Sequence, residues 1–241
     1  MLDAEARERI IVALDCDRER ALELADELQG RAVWLKVGMT LFYAEGPDIV
    51  REFKRRGFKV FLDLKFHDIP HQVRGAARSA ALAGADLLSV HGLGSGPMLA
   101  ACREGAEEAA AISGERPRLV AITVLTSMDQ DALASIGISD PISVEAIRLA
   151  TLASENGIDG VVCSPHEASR MRSILGGPKA LVVTPGVRPA GAALGDQSRV
   201  ATPASAINAG ASHIVVGRPI TGAEDPLTAY EAIVAELVAE A

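Results

Sequence analysis

The residues of this sequence best placed to do chemistry are Asp63, Lys65 and Asp68, in the segment Asp63-Leu64-Lys65-Phe66-His67-Asp68. They close an apolar run, Phe58-Lys59-Val60-Phe61-Leu62, that reads as a buried strand. Residues two apart on a strand share a face, so Asp63 and Lys65 are expected to project together. Ionised groups are costly to bury unless they are paired or put to use. An apolar strand ending in Asp-x-Lys, with another Asp three residues on, therefore calls for an electrostatic role.

Elements to position such a set recur along the chain. Short apolar runs, predicted as strands, lie near residues 10–14, 33–37, 59–64, 86–90, 119–124, 160–163, 180–183 and 213–216. Between them, helices are predicted over 18–29, 41–56, 72–83, 97–112, 141–156, 166–175, 203–209 and 226–240. Pro141 after Asp140 and Pro203 after Thr202 read as an N-cap followed by proline at the first helical position. Gly57, Gly84, Gly157 and Gly210 stand where a helix would end. Strand–helix alternation without a linker predicts a parallel α/β architecture. An open doubly wound sheet and a closed barrel both satisfy it. The turn after the first strand lacks the G-x-G-x-x-G dinucleotide pattern, so a single-domain (β/α)8 TIM barrel over 1–241 is favoured. At 241 residues the chain is close to the typical ~250 of such barrels.

Barrel sites sit at the C-terminal ends of the strands. Those ends read Asp15, Lys36, Asp63 with Lys65, His91, Thr126, Ser164, Thr184 and Gly217-Arg218. Asp15, Lys36, Asp63 and Lys65 would be neighbours of alternating sign, either a working site or a structural ion network. The last two ends, Thr184-Pro185-Gly186-Val187-Arg188-Pro189 and Val216-Gly217-Arg218-Pro219, join glycine to arginine where barrels commonly hold phosphate. The loop from Pro185 to Arg199, with Gln197 near its far end, has the composition of a segment that closes over a ligand.

Composition narrows the partners. Aromatic residues make up 3% of the chain and the net charge is −8, which argues against a nucleic-acid platform. Hydrophobic residues reach 49%, enough for a large core, yet no apolar stretch approaches a membrane span. Cys16, Cys102 and Cys163 form no metal-ligand pattern and read as buried thiols of a reducing compartment. Without a signal-peptide pattern at residues 1–9, a soluble cytoplasmic protein is expected.

Taken together, these segments closely resemble the orotidine 5′-phosphate decarboxylase family over nearly the full length. The resemblance rests on Val12–Asp15, Leu35–Gly38, the segment DLKFHDIP from Asp63 to Pro70, Val124–Ser127, Thr184–Pro189 and Val216–Pro219. It implies a homodimeric barrel, free of metal and organic cofactor, that converts orotidine 5′-phosphate to UMP and CO2 in pyrimidine biosynthesis. Lys65 would match the proton donor to C6, and Lys36 and Asp63 the rest of the charged array. Asp68 would match an aspartate lent across the dimer interface, with Ile69 and Gln72 beside it as substrate contacts. Asp15 would match a ribose-hydroxyl ligand and Thr126 a residue near the pyrimidine. Pro185, Arg188, Gln197, Gly217 and Arg218 fall where the family holds phosphate and closes its loop. One departure is visible: His71-Gln72 replaces the Asn-Thr of many relatives, which bears on a cross-subunit ribose contact. D-x-K-x-x-D alone would also fit metal-dependent sugar-phosphate decarboxylases and aldolases of the same superfamily. A non-catalytic nucleotide-binding sensor with the same pocket is a third reading.

Overall fold

The computed structural model describes residues 1–177, 180–189 and 201–240. Eight parallel strands close in sequence order: β1 (Ile10–Leu14), β2 (Trp34–Gly38), β3 (Lys59–Phe66), β4 (Leu87–His91), β5 (Arg118–Ile122), β6 (Gly160–Val162), β7 (Leu181–Thr184) and β8 (His213–Val216). β1 pairs with β8, so the sheet has no edge. The barrel alternative is the observed one, and each strand lies within one or two residues of its predicted span.

The strands read as unbroken apolar runs because both of their faces are buried. In β1, Ile10, Val12 and Leu14 pack outward against the helices, while Ile11 and Ala13 fill the interior. Trp34, Phe61, Leu87, Val120, Leu181 and Val215 join them in that apolar interior plug. The two-residue period then dictates the next layer up. The inward position after Ala13 is Asp15, after Trp34 is Lys36, after Phe61 is Asp63, and after Leu87 is Ser89. The buried polar groups thus form a layer resting on an apolar floor.

Four sequence expectations need correction. The helix expected over 41–56 is two, Met39–Glu45 and Asp48–Arg55. Gly46 adopts φ 67° and Pro47 follows, a pair that ends one helix and restarts the chain. The second helix buries Ile49, Val50 and Phe53 on one face, each side chain contributing roughly 1.5–3 kcal/mol by leaving water. Pro141 is itself the N-cap of helix Ile142–Glu155, with extended ψ of 143°, so Asp140 does not cap. The Gln130 side chain accepts the orphan Ile142 N–H instead. Thr202 does cap Pro203–Asn208, accepting from the Ser205 N–H. The stretch 166–175 splits into a 3-10 turn, Pro165–Glu167, capped by Ser164, and helix Ala168–Ile174. Cys16 is half-exposed beyond the end of β1, whereas Cys102 and Cys163 are buried; all three are free thiols. Gly57, Gly84, Gly157 and Gly210 take positive φ at the predicted helix ends. Among the described residues no helix is long and apolar enough to cross a membrane.

Candidate active site

A cavity of about 440 Å³ opens at the C-terminal end of the barrel. Asp15, Lys36, Asp63 and Lys65 line one side of it. Lys36 Nζ lies 2.8 Å from Asp15 Oδ1 and 3.8 Å from Asp63 Oδ2. Lys65 Nζ lies 2.9 Å from the same Asp63 oxygen. The four side chains therefore run acid, base, acid, base along adjacent strand ends, the order expected from the sequence. Register explains it: Ala13 pairs with Lys36 and Gly38 with Asp63. Gly38 also leaves the room the first pair needs, since a Cβ there would stand 3.1 Å from both Asp15 Oδ1 and Lys36 Nζ.

Asp63 is the centre of the array and is 9% exposed. Burial pushes its pKa up, but the fields of Lys36 and Lys65 and the hydrogen bonds from Lys65 and Ser89 outweigh that push. The net effect holds the carboxyl below the ordinary aspartate value, so it is an anion at neutral pH. Lys65 reaches it by an unusual route. The β3–β4 register shifts between Leu62 and Phe66, and Lys65 itself adopts φ 52°. A non-glycine residue in that left-handed region costs roughly 1–2 kcal/mol, which the surrounding contacts must offset. Simple strand alternation is thus only part of why Asp63 and Lys65 meet.

The loops after β7 and β8 continue the rim of the cavity next to Asp15, since β8 pairs with β1 and a Cβ on Gly217 would stand 3.9 Å from Asp15 Oδ2. Pro185, Gly186 and Arg188 come from the first, Gly217 and Arg218 from the second. Arg188 is 9% exposed, and its guanidinium donates to the Val187 carbonyl at 2.9 Å. Gly186 takes φ 76°, a turn that suits glycine. Thr126, with Val124 and Leu125 before it, lines the wall after β5. A cavity that joins ammonium groups and carboxylates to two guanidinium groups can take a polar, anionic molecule. Gln197 lies outside the described residues.

Asp68, Ile69 and Gln72 do not join this cavity. Asp68 and Ile69 border a second, open depression with His67, Pro70, Leu93, Gly94 and Ser95. Asp68 is exposed there and accepts a local bond from the Ile69 N–H at 2.6 Å. Ile69 is 63% exposed, and His71 and Gln72 are exposed at the start of helix Pro70–Leu82. His67 stacks on His91 with ring centroids 5.1 Å apart. Burial, with His67 and Lys65 nearby, pushes His91 down to about 4.

Sequence reading missed Ser89, Thr221 and Ile122 on or beneath the site. Thr221 and Ile122 line the cavity; Ser89 is fully buried and donates to Asp63 Oδ1 at 2.7 Å. Its one available signal was polarity, a lone serine between Leu88 and Val90. Among the described residues, no group of three or more His, Cys, Asp or Glu side chains is placed to hold a metal ion.

Comparison with known proteins agrees with this geometry. The family model "Orotidine 5′-phosphate decarboxylase / HUMPS family" matches residues 8–233. The chain is 51% identical to the orotidine 5′-phosphate decarboxylase of Alkalilimnicola ehrlichii over 96% of its own length and 97% of the relative's. It is 52% identical to that of Halorhodospira halophila over 96% of each chain. The crystal structure of orotidine 5′-phosphate decarboxylase from Lactobacillus acidophilus superposes with a TM-score of 0.84 at 39% identity, covering 95% of this chain and 98% of that one. The chain belongs to the orotidine 5′-phosphate decarboxylase/HUMPS family.

Proposed function

We propose that this protein decarboxylates orotidine 5′-phosphate to UMP and CO2, the last step of UMP biosynthesis, without metal or organic cofactor. The observation that carries the reading is the alternating row Asp15, Lys36, Asp63, Lys65 lining one cavity with Arg188 and Arg218. Curated relatives about half identical over nearly the whole chain carry that name.

In this reading the phosphate lies against Gly217, Arg218 and Arg188, with Pro185 beside it and Gln197 proposed as a further contact. Asp15 and Lys36 take the ribose, and Thr126 faces the pyrimidine. The C6 carboxylate enters beside Asp63. Two carboxylate charges ~4 Å apart repel by roughly 4 kcal/mol at an effective dielectric of 20, and that repulsion is relieved as CO2 departs. The C6–carboxylate bond breaks, its electron pair stays on C6, and the Lys65 ammonium stabilises the carbanion and then donates a proton to it. The Lys65 amine recovers its proton from solvent. Gripping the distant phosphate supplies binding energy for positioning the ring.

Asp68 fits this scheme as a residue given to a second copy of the chain, with Ile69 and Gln72 next to it. Its turning away from its own cavity supports that role. The functional unit is then a homodimer with shared sites. Subunit exchange between Lys65→Ala and Asp68→Ala proteins is expected to restore partial activity. Demonstrably mixed dimers with none would place Asp68 in its own chain's service.

The test of the reaction is an absorbance assay. Chelator-treated protein is expected to consume orotidine 5′-phosphate with formation of UMP. Turnover that appears only with added Mg2+, or only on a keto-sugar phosphate, would move the protein to the metal-dependent branch. Tight UMP binding without turnover would make it a sensor.

A further inference from the structure

The left-handed conformation of Lys65 occurs where β3 leaves the register of β4. An amide N–H that leaves a ladder inside a protein needs another acceptor. Here the acceptor is the Ser89 hydroxyl, 2.9 Å from the Lys65 nitrogen. The same hydroxyl donates to Asp63 Oδ1 at 2.7 Å. A serine hydroxyl has one proton and two lone pairs, so a carboxylate and an N–H partner together fix both directions. Because Oδ1 is engaged by Ser89, Oδ2 is the oxygen left facing Lys65 at 2.9 Å and Lys36 at 3.8 Å. Ser89 is 0% exposed and is flanked in β4 by Leu88 and Val90.

We propose that Ser89 is a positioning residue for the decarboxylation. One buried hydroxyl locks the left-handed backbone of Lys65 and the rotation of the Asp63 carboxylate, and so sets the ammonium against C6. This rests on the function proposed above. It predicts a defect in turnover rather than in binding, since Ser89 lies behind the charged pair and away from the arginines that grip the phosphate end.

The test compares Ser89→Ala and Ser89→Cys with the unmodified protein. Hydrogen bonds to charged groups are worth enough that Ser89→Ala is expected to lower kcat about 10- to 100-fold, with KM within about twofold. Ser89→Cys keeps the shape with a weaker donor and acceptor, and is expected to fall between the two. An unchanged kcat in Ser89→Ala, or a KM that rises as much as kcat falls, would overturn the proposal. A crystal structure of Ser89→Ala reads the same device without turnover. Lys65 is expected to leave φ near 52°, or the Asp63 carboxylate to rotate off Lys65; an unmoved pair would overturn the assignment. A parent protein inactive on orotidine 5′-phosphate would instead refute the function, and the crystal structure would still decide the clamp.

Discussion

At the N-terminal rim of the barrel, Asp159 accepts both terminal nitrogens of Arg116, at 2.7 and 2.8 Å, and the Leu119 N–H at 2.8 Å. Asp86 likewise takes Lys54 at 2.7 Å and the Val60 N–H at 2.7 Å. Each carboxylate ties a cation to the first residues of a strand. At the C-terminal rim, Asp63 is held by the side chains of Lys65 and Ser89 and faces a cavity. The ingredients match, but one rim spends its carboxylates on the backbone and the other leaves them open to a ligand. Charge pairs with backbone anchors support folding; charge pairs beside a cavity can act on what enters it.

The comparison breaks most sharply at Lys65. Lys65→Ala is expected to lower turnover by about 10⁴-fold, combining loss of a proton donor and of an electrostatic stabiliser. UMP binding and melting temperature should stay close to the parent's, and calorimetry alongside the assay checks both. Asp159→Ala should do the reverse. It strands Arg116 and frees the Leu119 N–H, and after allowance for the arginines' access to water the expected loss is about 2 kcal/mol. For a chain of this size that is a fall of about 4–8 °C in melting temperature, with kcat at 25 °C unchanged.

The smallest effect is in pH. Each rim holds a histidine pushed down to about 4, His213 by burial and then Arg9, and His91 by burial and then His67. Their folded values lie below the ordinary 6.5, so the unfolded chain binds more protons across that interval. Stability from both is complete above pH ~6.5 and declines as pH falls toward 4. Thermal melts at pH 7.5 and 6 should differ by a few degrees, and His213→Gln should reduce the difference. Asp63 and Asp159 act lower, their stabilisation being lost only as pH falls below the ordinary 3.8.

Most of the barrel and much of its charged rim could be read before the structure. Strands buried on both faces leave continuous apolar runs, and residues two apart must share a face, so Asp15, Lys36 and Asp63 follow from counting. What escaped has physical causes. Apolar periodicity ran on through Gly46-Pro47, masking a helix break whose signal was present. Ser89 looked like one tolerated polar residue, because its value lies in partners on another strand. The φ of Lys65 depends on the β3–β4 register, which local sequence does not encode. Asp68 pointing out of its own cavity is a matter of where the chain turns after β3, and its proposed partner is another molecule.

The most direct test of the central claim is proton NMR of UMP formed in D2O by chelator-treated protein, with Lys65→Ala run in parallel. The account predicts one deuterium at C6 for each CO2 released by the parent, and product near background from the variant. UMP formed at the parental rate by Lys65→Ala, or no UMP from either, would contradict it.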